Sequence, residues 1–303
     1  MDGVRAGSFK AWLILPRFQY LPLTFNMVSL GAAVAAYEGR FHLGYYLLAM
    51  IGSLLVHVTV NVINDYHDYV DGIDLNTQRT PFSGGSGVLP SNLLTPKQAF
   101  WFGTVCLLVA MGIGFYFCVT KGWILFPLLL VAGFSAYFYN VYLSKWQMGE
   151  IFAGLGFGPL LVLGSYYVQT GRYSWETLFV SLAPGILTAN LLFLNEFPDW
   201  EADRKGGRKH WVITLGKRDA SYLFVGLLTA SYFCIVVGVL MGVMPAVTLI
   251  GLGTLGFGWK AAKGALKWYD DTERLVPILG TNVVTILGTQ ALLTIGYVIA
   301  SIR

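Results

Sequence analysis

The stretch Asn61-Val-Ile-Asn64-Asp65-Tyr-His-Asp68-Tyr-Val-Asp71-Gly72-Ile-Asp74 closes a long uncharged run with a burst of amides and carboxylates. Residues 61, 64, 65 and 68 stand at i, i+3, i+4 and i+7, so a helix continuing to a stop near Gly72 carries them as one polar stripe, which Asp71 extends. An apolar helix that ends by aiming two amides and three carboxylates along one face must direct them at bundle interior, water or a bound ion, because lipid costs several kcal/mol per carboxylate. A second stretch, Asn195-Glu196-Phe-Pro-Asp199-Trp-Glu201-Ala-Asp203, ends another uncharged run in the same way. Asn-x-x-x-Asp occurs in both, as Asn64/Asp68 and Asn195/Asp199, and Asp199 and Asp203 share a helical face at i and i+4.

The rest of the chain sets these stretches in a bilayer. Of 303 residues, 55% are hydrophobic and only 12% charged, and the mean hydropathy is +0.62, against roughly 25% charged residues in soluble domains. Uncharged runs cover 18–37, 41–64, 98–120, 122–144, 151–171, 177–195, 220–259 and 275–302. About 20 apolar residues span a bilayer core. Each run therefore accommodates one helix, and the longest accommodates two, divided around Gly242-Val243-Met244-Pro245. The expectation is an all-α polytopic membrane protein of nine transmembrane helices, forming one domain over 1–303. The recurrence of Asn-x-x-x-Asp four helices apart suggests an internal repeat, helices 2–5 and 6–9.

Alternating nine spans places 16 of the 20 Lys and Arg residues on one side, which the positive-inside rule makes cytoplasmic. Both aspartate-rich stretches then end on the cytoplasmic side of the cell membrane, as does the N-terminus. Soluble, single-anchor and nucleic-acid-binding classes are excluded, the last despite a net charge of +4, because the basic residues are spread along loops. The N-terminus shows no removable signal segment. Cys106, Cys118 and Cys234 all lie within spans and have neither disulfide nor zinc spacing.

Two opposed carboxylate clusters need cations between them. The ligand set is oxygen, without Cys or clustered His, so Mg²⁺ is the natural occupant, and it commonly takes substrate phosphates as further ligands. A bound diphosphate is the expected bridge. Arg79, Lys145, Arg204, Arg208 and Lys209 are candidates to meet its remaining charge; each also suits a headgroup position, and Arg79, five residues from Asp74, is the one favoured as a diphosphate contact. His57 reads as a hydrogen-bonded interior histidine.

These residues resemble the UbiA superfamily of intramembrane prenyltransferases, over essentially the whole chain. The resemblance implies an enzyme that binds an isoprenyl diphosphate through Mg²⁺, ionises it to an allylic cation and transfers the prenyl chain to an aromatic or lipid acceptor. It implies metal ligands at Asn64, Asp65, Asp68, Asp199 and Asp203, with Asn61, Asp71, Asp74 and Asn195 as outer or alternative ligands. Many members carry N-D-x-x-D-x-x-x-D, which would need an aspartate at Gly72, whereas here Asp74 lies six beyond Asp68. That spacing is similar to the dihydroxynaphthoate prenyltransferases of menaquinone synthesis. So are Ser83-Gly-Gly-Ser-Gly-Val-Leu89, the 154–170 segment, and Asn195 through Leu215-Gly-Lys-Arg218. Family members often place Tyr shortly before Lys between helices 4 and 5, and Tyr139 with Lys145 is the pair chosen from Tyr137, Tyr139 and Tyr142, all of which also suit an interfacial belt. Arg17, at the start of helix 1, is a candidate contact for an anionic acceptor as well as an interfacial anchor. The loop at 83–87 reads as a cytoplasmic lid or a simple connector.

Three rival readings are weaker. A secondary transporter would hold its acids near the midplane of broken helices. A CDP-alcohol phosphotransferase would need Ala-Arg where Leu75-Asn76 stands. Within the superfamily, a prenylglycerol phosphate or another quinone precursor is the alternative acceptor.

Overall fold

The computed structural model describes residues 4–77, 79–138 and 143–302, and among these every regular element is helical. In chain order they are α1 (Phe9–Ile14), α2 (Pro22–Tyr37), α3 (Leu43–Val70), α4 (Pro96–Lys121), α5 (Phe126–Phe138), α6 (Gly149–Thr170), α7 (Trp175–Lys205), α8 (Lys217–Leu240), α9 (Leu255–Trp268) and α10 (Thr272–Ile302). Local chemistry sets several ends. Thr95 and Gln98 form a capping box ahead of α4, with Pro96 in its first turn. Ser174 caps α7 by accepting from the Thr177 N–H at 3.2 Å. Gly72 adopts φ +77 immediately past α3, the left-handed conformation that stops a helix.

Six helices (α3, α4, α6, α7, α8 and α10) are long and apolar enough to cross a membrane. The chain is a multi-pass membrane protein. A seventh crossing is counted if Phe9–Tyr20 and Pro22–Tyr37, bent by 52°, act as one span. The expected nine is therefore not reached by length and composition, and the shortfall has physical causes. The run 122–144 holds the short helical stretch Trp123–Phe138. The 40-residue run breaks where expected, after Leu240 and around Gly242 (φ +71), but its second half is a 3₁₀ helix, Ala246–Thr254, leading into α9 with its three lysines.

α3 packs on α4, α2 on α6 and α10, and α7 on α6 and α8. The α6–α7 contact is close because Gly158 faces Gly185: a Cβ on Gly158 would lie 2.6 Å from the Gly185 Cα. Such backbone approach is how membrane helices gain dispersion energy without a hydrophobic drive. Pro159 has no N–H to donate, and the surrounding residues Gly156–Leu160 widen into a π turn. The main core unites α2, α6, α7, α8, α9 and α10, and a second cluster joins α1, α3, α4 and the 88–94 connection.

Candidate active site

The aspartate-rich ends of α3 and α7 face one cavity of about 360 Å³. Asn61, Asn64, Asp68 and Asp74 line it from one side, and Asn195, Asp199 and Asp203 from the other. Its deeper wall is apolar, with Ile113, Phe117, Leu128, Leu129, Leu161 and Val168 among the lining residues. One end of the cavity thus suits a multiply charged head and the other a hydrocarbon tail.

Gly72 makes the α3 side compact. Its left-handed turn redirects the chain into the helical turn Ile73–Asn76, so that Asp74, 4% exposed, joins Asp68 on the cavity wall. Burial, followed by repulsion from Asp65 and Asp68, pushes the Asp74 carboxyl up to about 7 against the opposing pull of Arg17 and Arg79.

Two guanidinium groups lie among the carboxylates. Arg17 pairs with Asp65 and donates to Asn64 Oδ1 at 3.1 Å. It is held at φ +53, a left-handed conformation that costs a non-glycine residue roughly 1 kcal/mol or more. Arg208 joins the two motifs, pairing with Asp68 and, at 3.2 Å, with Asp203.

The Gly-rich loop lies between the motifs. The Gly84 N–H donates to Asp199 Oδ2 at 3.1 Å, and the Ser86 N–H to Asp65 Oδ2 at 3.1 Å. Arg79 Nε donates to the Gly84 carbonyl at 3.1 Å, and the Tyr20 hydroxyl to the Phe82 carbonyl at 2.7 Å. Gly85 has φ +73, and a Cβ there would lie 2.7 Å from both Asp74 oxygens, so only glycine passes this point without displacement.

Some candidate residues lie away from the cavity. Lys145 reaches Asp71 at 3.4 Å in a half-exposed pair, and neither lines the cavity wall. Arg204 stacks over Trp200 at 5.3 Å. Arg79 serves the loop through Gly84, whereas Asn61 stays on the cavity wall while donating to the Pro16 carbonyl at 2.8 Å. Tyr139 and Tyr142 lie outside the described residues. His57 is the expected interior histidine, with Nδ1 2.8 Å from Thr24 Oγ1.

The donor set fits a hard divalent cation. Asp74 Oδ2, Asp199 Oδ1 and Asn195 Oδ1 are buried without a hydrogen-bond partner, and all are oxygens of groups lining the same cavity. Sequence reasoning missed a second polar group, Glu150, Glu196 and His210. Its signals were an acid at the mouth of the apolar run 151–171 and a glutamate adjoining Asn195.

The model that describes the UbiA prenyltransferase family matches residues 25–279. The chain belongs to the UbiA prenyltransferase family. This UbiA-family chain is a prenyl-transferring enzyme. It is similar to the 1,4-dihydroxy-2-naphthoate octaprenyltransferase of Bacillus subtilis (strain 168), at 26% identity over 231 residues, covering 75% of this chain and 73% of that protein. It is also similar to the 2-carboxy-1,4-naphthoquinone phytyltransferase of Synechocystis sp., at 24% identity over 272 residues, 88% of this chain and 86% of that one. A UbiA homologue from Archaeoglobus fulgidus, solved with GPP and Mg²⁺ bound, shares the fold with a TM-score of 0.63 at 15% identity, over 93% of this chain and 99% of that one.

Proposed function

We propose that this UbiA-family enzyme moves a polyprenyl group from an isoprenyl diphosphate to 1,4-dihydroxy-2-naphthoate, with Mg²⁺ held by Asn64, Asp65, Asp68, Asp199 and Asp203. The observation that carries the reading is one cavity with two opposed aspartate motifs at its polar end and an apolar wall at the other. Relatives named for naphthoate substrates favour this acceptor, and the A. fulgidus homologue with GPP and Mg²⁺ favours the donor and the metal. The same chemistry on a prenylglycerol phosphate or another quinone precursor is the alternative.

Bound Mg²⁺ supplies electrostatic stabilisation of the departing diphosphate. The protein's own part is to position and enclose. Arg17 and Arg208, already among the carboxylates, are placed to exchange partners and meet diphosphate oxygens, with Asn61, Asp71, Asp74 and Asn195 as outer ligands and Arg79, Lys145 and Arg204 as further basic contacts. Tyr139 remains a proposed catalytic residue beside Lys145. The loop 83–87 covers the head and keeps water from the cation. The allylic C–O bond breaks with its electron pair leaving on diphosphate. A C–C bond then forms to the naphthoate ring carbon bearing the carboxylate, which departs as CO₂ and leaves its electron pair in the ring. The nine-span topology, the four-helix repeat and a cytoplasmic active site in the cell membrane belong to the same proposal.

The test is release of diphosphate from geranylgeranyl diphosphate by detergent-purified protein, with and without Mg²⁺, and with the naphthoate or no acceptor. Mg²⁺- and acceptor-dependent release accompanied by CO₂ is the expected result. Release with another acceptor alone moves the enzyme to a different branch, and no release with any acceptor overturns the reading.

A further inference from the structure

Glu150, Glu196 and His210 meet where the start of α6, the end of α7 and the turn before Trp211 converge. Glu150 is 0%, Glu196 9% and His210 4% exposed, and one potential ligand atom from each lies within 4.8 Å of the others. Glu150 Oε2, Glu196 Oε2 and both His210 ring nitrogens are buried without hydrogen-bond partners. The opposite atom of Glu150 is occupied, and that of His210 lies beside a carboxylate. Glu150 Oε1 accepts the Trp211 N–H at 2.7 Å, and His210 Nε2 lies 3.3 Å from Asp203 Oδ2. The ring thus lies between two carboxylates, Asp203 beside Nε2 and Glu196, whose Oε2 is 3.6 Å from Nδ1, and a carboxylate beside the far nitrogen is what orients imidazole in metal sites.

Charge argues the same way. Two carboxylates buried side by side need a neutralising partner, a proton or a bound cation, because an uncompensated buried charge costs several kcal/mol. Arg208 is engaged with Asp68 and Asp203. One nitrogen and two carboxylate oxygens are the donors of a borderline transition-metal dication, whereas the all-oxygen aspartate set suits Mg²⁺. Glu196 and His210 also line the cavity, leaving room for water as a further ligand.

We propose that Glu150, Glu196 and His210 form a second metal site, separate from the aspartate-rich site and selective for a borderline divalent ion such as Zn²⁺. The ion ties the 206–211 segment to α6 and α7, and through His210 it holds Asp203 in place. This inference is independent of which acceptor the enzyme uses.

The experiment strips the purified full-length protein with chelator, reloads it with Zn²⁺ in excess Mg²⁺, removes free metal and counts bound zinc by elemental analysis. About one Zn²⁺ per chain is expected in the native protein and in Asp199→Asn, and at least about tenfold less in Glu150→Gln and His210→Ala. Elution volume and helical circular dichroism check that each variant is folded. If His210→Ala fails to fold, Glu150→Gln, isosteric and uncharged, decides the matter. Co²⁺ loading adds a second readout, a visible ligand-field band in the native protein that Glu150→Gln loses. Folded native protein that holds no zinc, or zinc that follows Asp199 rather than Glu150 and His210, overturns the proposal.

Discussion

Arg208 is the cation that joins the two aspartate motifs, and replacing it with glutamine separates its electrostatic role from its bulk. Its side chain is 17% exposed, and the Asp68 and Asp203 side chains it pairs with are 9% and 3% exposed. Removing one member of a buried ion pair costs about 3–5 kcal/mol, since the remaining charges stay buried and unpaired. The cavity admits water to part of this cluster, which puts the cost near the lower figure. At roughly 2 °C per kcal/mol for a chain of this size, the midpoint of thermal unfolding falls by about 6 °C. The assay is thermal unfolding in detergent followed by tryptophan fluorescence, in chelator and in millimolar Mg²⁺. If the aspartates accept divalent cations, Mg²⁺ takes over part of the lost counter-charge, so it stabilises Arg208→Gln by more than it stabilises the native protein. An unchanged midpoint in chelator, or a loss identical with and without Mg²⁺, would refute the argument that Arg208 and the metal neutralise the same carboxylates.

Three further outcomes are expected. Asp68→Asn and Asp199→Asn abolish prenyl transfer, measured as diphosphate release, while both proteins elute as the native one does; retained turnover in both removes the metal-site assignment. Gly85→Ala meets the Asp74 carboxylate and forces a left-handed residue, costing about 1 kcal/mol from the backbone alone; because the loop shifts, turnover should fall by more than the small drop in unfolding midpoint, and unchanged turnover would show that the loop is only a connector. Burial and the neighbouring carboxylates push the Asp74 carboxyl up to about 7, so from this group folding stability is highest at low pH, declines as pH rises from about 4 to about 7, and is level beyond. Metal binding needs the ionised carboxylate, so calorimetry at pH 6 in buffers of different ionisation enthalpy should register proton release on adding Mg²⁺, and Asp74→Asn should release fewer protons.

The parts of this site that were legible in the sequence are the ones helix geometry encodes locally. Asn64, Asp65 and Asp68 share a face because they lie within about one turn, and Asn195, Asp199 and Asp203 because they recur every four residues. Gly72 was legible as a helix stop for its conformational freedom, and the 40-residue run as two segments for its Gly-Val-Met-Pro break. Run length alone does not reveal local helix type, since an uncharged stretch such as 246–254 can coil as 3₁₀ helix rather than α-helix. Lys145 was chosen for its position after helix 4, but a long side chain settles wherever a carboxylate is nearest, and here that is Asp71 at the rim.

What spacing cannot encode is pairing across the bundle. Arg17 reaches Asp65 across 48 residues of chain, and Arg208 reaches Asp68 across 140. A sequence lists basic residues near acidic ones without saying which cross the cavity, so Arg17 looked better suited to an interfacial anchor than to the site, and Arg208 was one of five candidate bases. Their placement changes the physical picture of the motifs. Three of the proposed metal ligands, Asp65, Asp68 and Asp203, are already paired with guanidinium groups, so a diphosphate and its cations do not enter a bare anionic cleft. In the proposed mechanism they would exchange partners, with Asp65, Asp68 and Asp203 released from arginine to hold the metal and the two arginines free to meet the phosphate oxygens. A cluster kept nearly neutral in this way survives burial without substrate and would recover its full charge only when a charged substrate arrives, which is the role we propose for both arginines.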